Sequence, residues 1–129
     1  MLKTEPWLEI TTVSKCSINC SYCPQQTFQE HYHGNNTLTL EDFKTAISKV
    51  PKNVAIHFSG FAEPFLNPQC LDMIECAYSK GHKIVLFSTL VGLKPENIER
   101  LRQGNTAVSY THLRAHETVL DLVCRLLLE

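Results

Sequence analysis

The chain has 129 residues, enough for one domain with a hydrophobic core and too few for two. The 12 Lys and Arg residues nearly balance the 13 Asp and Glu residues, so no nucleic-acid partner is indicated. Hydrophobic and charged fractions of 43% and 19% exclude a wholly disordered protein. No segment is apolar enough for a signal peptide or a bilayer span, so we expect a cytoplasmic protein with reduced cysteines and no membrane partner.

The first predicted pair of elements is a strand and a helix separated by a long loop. Residues 7–13 alternate and are rich in β-branched side chains, which is typical of a strand. Thr39 is a good helix N-cap, and apolar residues follow it at helical spacing until Pro51. We expect Trp7 and Phe43 to lie in the core.

Two further strand-and-helix pairs follow. A short apolar strand over 54–58 precedes a helix that has Asn67 as its N-cap and ends at Gly81. A third strand over 83–88 precedes a helix that begins at Pro95. The sequence therefore predicts an α/β fold of three βα units with parallel strands.

Right-handed crossovers place all strand-to-helix loops at the carboxyl edge of such a sheet, where chemistry usually occurs. The three unusual segments of this chain all follow predicted strands. They are the cysteine-bearing loop 14–24, the loop 60–64 and the turn 88–90. We therefore expect the functional site at this edge.

The loop after the first strand contains Cys16, Cys20 and Cys23 in a C-x3-C-x2-C pattern. Thiolates suit zinc, copper(I) and iron–sulfur clusters. Structural zinc sites and cubane clusters usually take four protein ligands, so either a fourth ligand comes from elsewhere or one iron stays open for a substrate or cofactor. A zinc site completed by His31 or His33 is the alternative.

These residues resemble the signature of the radical S-adenosylmethionine (SAM) superfamily. In that family C-x3-C-x2-C follows the first strand, and an aromatic residue, here Tyr22, precedes the third cysteine. The resemblance implies that Cys16, Cys20 and Cys23 each ligate one iron of a 4Fe–4S cluster. The amino and carboxylate groups of SAM would then hold the fourth iron.

A second segment after the second strand resembles the family's Gly-rich GGEP motif, which contacts the SAM amino group. It consists of Gly60, Phe61, Ala62, Glu63 and Pro64. Ala62 replaces a glycine of the motif and Phe61 is bulky, so the local geometry is expected to differ from the family's. Glu63 either orients the ammonium group of SAM or shapes the turn.

Ser88 and Thr89 end the third predicted strand. The resemblance implies that polar residues here face the SAM-binding edge, although a Ser–Thr pair is also common in turns.

The activity that the resemblance implies is radical SAM chemistry on an unidentified substrate. An external one-electron donor such as a flavodoxin or ferredoxin reduces the cluster, which passes the electron to the SAM sulfonium. The C–S bond breaks to methionine and a 5′-deoxyadenosyl radical, and this radical abstracts a hydrogen atom from the substrate.

The resemblance extends from the first strand to Gly104 and covers half of the family's six-unit partial βα barrel, a partial TIM barrel. We expect residues 1–107 to be the N-terminal half of this core and the chain alone to be inactive. Residues 108–129 resemble a translated sequencing adapter. A transposase adapter encodes VSYTHLRAHET, and the primer sequence beyond a variable index encodes LVCRLLLE, so this tail is expected to be non-native.

Other cysteines and histidines are expected to be structural. Cys70 and Cys76 are six residues apart and face different directions, which favours small buried thiols over a metal site. His57 is expected on a sheet face or in the core, and His82, after the helix stop, is expected to be exposed.

Overall fold

The computed structural model describes residues 5–15, 24–59, 62–103 and 107–109. The strands are β1 (Trp7–Ile10), β2 (Ala55–Phe58), β3 (Ile84–Phe87) and β4 (Ala107–Ser109). The helices are α1 (Gln25–His31), α2 (Leu40–Ile47), α3 (Cys70–Ser79) and α4 (Pro95–Gln103), and a 3-10 turn spans Pro64–Leu66. The chain is therefore an α/β protein.

The strands form one parallel sheet in the order β1-β2-β3-β4. In the register of the sheet, Glu9 and Val85 both lie opposite His57. The parallel α/β class is confirmed, and β4 is a strand that the sequence does not predict. It crosses the junction between Ala107 and Val108 at which the tail is predicted to begin.

Helices cover one face of this sheet. On that face the side chains of β2 and β3 are buried, namely Ile56, Phe58, Ile84 and Leu86, whereas Leu8 of the edge strand β1 is exposed. Residues of α2, α3 and α4 belong to the same hydrophobic cluster as these strand residues. On the opposite face Ala55 is buried, and the other described strand side chains are exposed or half-buried, namely Trp7, Glu9, His57, Val85 and Phe87. Parallel sheets are normally covered on both faces, so this face is the unusual one.

Local signals set the ends of α2 and α3. The Thr39 side chain accepts a hydrogen bond from the backbone N–H of Asp42 at 3.1 Å, which confirms the predicted N-cap. Helix α3 begins at Cys70, so the predicted N-cap at Asn67 is wrong. The side-chain oxygen of Asn67 accepts from the N–H of Gln69 at 2.9 Å, and this bond closes a turn before the helix.

Two predictions about burial are wrong and two are confirmed. Trp7 is 57% exposed because it begins an edge strand on the uncovered face. His82 is buried, since the chain turns back at Gly81 and brings its Nδ1 within 2.9 Å of the Val54 carbonyl. Phe43 lies in the core. His57 lies on the sheet face, where its ring stacks on that of Trp7.

Two glycines with similar backbone angles provide a matched test of how tightly the loop after β3 docks. Gly92 (φ +88) and Gly81 (φ +90) both favour glycine, but only at Gly92 would an added Cβ lie 2.8 Å from the Phe65 carbonyl oxygen. We expect Gly81→Ala to lower the free energy of unfolding by about 1 kcal/mol. Gly92→Ala should cost ~1–3 kcal/mol more, because backbone must move. Urea denaturation measures both, and equal losses would contradict tight docking.

Candidate functional site

Parallel neighbouring strands place the loops that follow β1, β2 and β3 at one carboxyl edge of the sheet. Of the predicted site residues, Glu63, Ser88 and Thr89 are brought together there, beside the buried Pro64 and the half-buried Ala62. The remaining predicted site residues lie outside the described residues, namely Cys16, Cys20, Tyr22, Cys23, Gly60 and Phe61.

The carboxylate of Glu63 is the centre of this edge. Its side chain is buried, and each of its oxygens accepts two hydrogen bonds. Oε1 accepts from the Ser88 hydroxyl and, at 3.3 Å, from the Phe65 N–H. Oε2 accepts from the Thr89 N–H at 2.7 Å and from the Thr89 hydroxyl at 2.8 Å. All four donors are neutral, and the three from Ser88 and Thr89 join the loop after β2 to the loop after β3.

The loop after β3 holds an unfavourable backbone conformation beside this carboxylate. Leu90 has φ 65, a left-handed conformation that is uncommon for a residue other than glycine or asparagine. Its N–H donates to the Ser88 hydroxyl oxygen at 2.9 Å, and its side chain is buried. The hydroxyl of Ser88 therefore links the Glu63 carboxylate to the strained residue.

A second buried contact joins the loop after β2 to the end of β1. The Thr12 hydroxyl donates to the Pro64 carbonyl oxygen at 2.9 Å. The side-chain amide of Asn67 donates to the carbonyl oxygens of Thr12 and Leu38 at 3.0 and 2.9 Å. Sequence reasoning missed Thr12 and assigned Asn67 to a helix cap, because a residue's distant partners leave no local signal.

Ser14 and Asn36, which lie on either side of the cysteine motif in the sequence, are in direct contact. The Ser14 N–H donates to the Asn36 carbonyl oxygen at 2.9 Å, and its hydroxyl donates to the Asn36 side-chain oxygen at 2.6 Å. Strand β1 ends at Ile10, before the predicted boundary at residue 13. Val13 instead forms an isolated antiparallel bridge with Thr37. The described part of the chain stops at Lys15, one position before Cys16. The cysteine motif therefore follows directly in sequence after the contact between Ser14 and Asn36.

Both histidines of the zinc alternative lie between Ser14 and Asn36 in the sequence. His31 ends α1, which the sequence does not predict, and His33 follows it, and both are exposed. The Nδ1 atom of His31 lies 2.8 Å from the Thr27 carbonyl oxygen. Within the described residues, no three His, Cys, Asp or Glu side chains are grouped so that they could hold a metal ion.

Two cysteines outside the motif, Cys70 and Cys76, lie on α3 and are relevant to the stability of the fold. Cys70 is buried and Cys76 is half-buried. Burial, and secondarily the nearby Glu63 carboxylate, raise the pKa of the Cys70 thiol well above its ordinary value. The folded protein therefore favours the neutral thiol.

This shift predicts a loss of stability in alkali. Because the folded pKa of Cys70 is raised, its contribution is complete below the unfolded pKa of about 8.5 and is lost as the pH rises above it. We expect the free energy of unfolding to fall by up to ~1.4 kcal/mol per pH unit above this point. The difference in urea stability between the unchanged chain and Cys70→Ala isolates the effect, with Cys76→Ala as the control. A pH-independent difference would contradict it.

Comparison of the chain with known protein families, curated proteins and solved structures gives no match. Within the described residues, no helix is both long enough and apolar enough to cross a bilayer. The functional assignment therefore depends on the chain's own residues and on their arrangement at the carboxyl edge.

Proposed function

We propose that this chain is the N-terminal half of the partial βα barrel of a radical SAM enzyme. In this proposal Cys16, Cys20 and Cys23 ligate a 4Fe–4S cluster, and SAM binds at the carboxyl edge of the sheet. The observation that carries it is a shared edge. The segment that carries the cysteine motif leaves the sheet beside the loop whose Glu63 joins Ser88 and Thr89.

The layout of the sheet supports the barrel part of the proposal. Strands adjacent in sequence are adjacent in the sheet, and α2, α3 and α4 share one core on one face. Doubly wound sheets reverse their strand order and use both faces, whereas βα barrels keep the order and leave an inner face free of helices. The face with Trp7, His57 and Phe87 would be this inner face.

The donor set suits the proposed cofactors. Three thiolates in eight residues favour a soft metal centre, and a cubane with three protein ligands leaves one iron for SAM. When bound, the cluster and SAM supply the one-electron chemistry that generates a radical. In this proposal Cys16, Cys20 and Cys23 would hold the cluster, and the contacts of Glu63 with Ser88 and Thr89 would fix the two loops beside SAM.

The test is anaerobic reconstitution of the full chain with iron and sulfide, followed by reduction and EPR spectroscopy with and without SAM. A cubane-type signal that SAM perturbs supports the proposal. A tightly bound zinc ion without any cluster would overturn it.

The zinc alternative has one specific observation in its favour. Zinc-ligating histidines usually donate their second ring N–H to a carbonyl or carboxylate oxygen, and the Nδ1 of His31 already meets the Thr27 carbonyl. In this reading Cys16, Cys20, Cys23 and one histidine form a structural zinc site in a binding module. Replacing both His31 and His33 with alanine should release zinc in this reading and leave an iron–sulfur cluster intact in the first.

A further inference from the structure

We infer that Glu63 is a positioning residue, which holds the loop after β3 in a strained shape and acts on SAM through Thr89. The inference rests on the proposed function for the identity of the ligand. Its mechanical part, the joining of two loops by one carboxylate, rests on the described contacts alone. It assigns Glu63 a role other than direct contact with the SAM ammonium.

The hydrogen bonds of Glu63 leave no room for a further donor. A carboxylate has about four lone-pair sites, and the Ser88, Thr89 and Phe65 donors use four. An ammonium group could reach an oxygen of Glu63 only by displacing one of these donors. Because Glu63 is 5% exposed, that displacement would also open the buried contact between the two loops.

The left-handed backbone conformation of Leu90 is the strained feature that the Glu63 carboxylate maintains in this inference. Unfavourable backbone conformations persist only where the surrounding structure over-determines them, and they occur often at ligand sites. Here the Leu90 N–H is fixed by the Ser88 hydroxyl, which Glu63 fixes in turn. At the far end of the same loop Gly92 lies so close to Phe65 that an added Cβ would be 2.8 Å from the Phe65 carbonyl oxygen.

Thr89 is the most exposed of the three polar residues in this group. Glu63 and Ser88 are buried, whereas Thr89 is half-buried. The Thr89 hydroxyl donates its hydrogen to Glu63, so its oxygen keeps lone pairs that can accept from a ligand donor such as an ammonium. Glu63 therefore sets both the position and the proton orientation of the Thr89 hydroxyl.

A double-mutant cycle on the full chain tests the mechanical part. The proteins are the unchanged chain, Glu63→Gln, Thr89→Val and the double variant, with Thr89→Ser as the conservative control. We expect each of the first two substitutions to lower the equilibrium constant for folding at least tenfold in urea titrations. In the double variant the factor by which the equilibrium constant for folding falls should be at least fivefold smaller than the product of the two single-variant factors. Thr89→Ser should stay within about threefold of the unchanged chain.

SAM affinity, measured by EPR titration of the reconstituted proteins, tests the ligand part. If Glu63 acts through Thr89, then Glu63→Gln and Thr89→Val each weaken SAM binding by a similar factor of ten or more. The double variant then binds SAM no more weakly than either single variant, and Thr89→Ser retains binding. Loss of affinity in Glu63→Gln without loss in Thr89→Val would overturn the inference in favour of direct contact.

The two measurements separate the inference from the proposed function. An additive cycle in a chain that binds SAM overturns the positioning role and leaves the proposed function in place. A coupled cycle in a chain whose reconstituted cluster ignores saturating SAM overturns the SAM assignment and leaves the mechanical role of Glu63 standing.

Discussion

Cys20→Ala is expected to remove the reconstituted cluster, lowering bound iron from roughly four atoms per chain to near zero. The motif offers three thiolates, so the loss of one leaves two local ligands for four irons. Within the described residues no other group of three or more His, Cys, Asp or Glu side chains could hold a metal ion in its place. Cys16→Ala and Cys23→Ala should behave in the same way. Iron analysis and the EPR signal of the reduced protein measure the loss.

The matched control for this series is Cys76→Ala. Cys76 is a half-buried thiol on α3, on an element that is not part of the cysteine loop, and its removal changes the thiol count by the same amount. It should retain full iron content. Equal iron loss in Cys76→Ala and Cys20→Ala would indicate nonspecific binding of iron to thiols.

The elements that could be predicted are those whose signals are local. The N-cap at Thr39, the left-handed Gly81 and the helix-initiating Pro95 act within one turn of their own position, and the structure has an element boundary near each. Strand β4 was missed because three residues carry little pattern of their own, and it is defined by pairing with β3. Pairing partners distant in sequence are invisible to a local pattern.

The proximity of Glu63, Ser88 and Thr89 could be predicted from the sequence, whereas the hydrogen bonds between them could not. Parallel topology alone brings Glu63, Ser88 and Thr89 to one edge, so their proximity follows from the order of the elements. The saturation of the carboxylate does not follow, since Ser88 and Thr89 lie 25 and 26 residues away from Glu63. Asn67 was misassigned for the same reason, because its donor contact to Thr12 spans 55 residues.

Asn67→Asp is expected to produce the largest loss of stability among the edge residues, about 3 kcal/mol or more at pH 7. Asn67 is 2% exposed, and its side-chain amide donates to two carbonyl oxygens, those of Thr12 and Leu38. A carboxylate of the same shape has no hydrogen to donate, so it places a buried negative charge against two acceptors.

The loss should depend on pH in a direction that identifies its cause. Burial and the facing carbonyl oxygens raise the pKa of the new carboxyl above its unfolded value of about 3.9. The protonated acid can donate to one of the carbonyl oxygens, so the variant is most stable below that pH. Its stability then falls by up to ~1.4 kcal/mol per unit as the pH rises toward the folded pKa. Asn53→Asp, in an exposed turn, should show no such slope in urea titrations from pH 3.5 to 7. If the deficit of Asn67→Asp were the same at both ends of this range, the side-chain donor would not be what joins β1 to the loop after β2. The connection would then depend on other contacts, such as the hydrogen bond from the Thr12 hydroxyl to the Pro64 carbonyl oxygen.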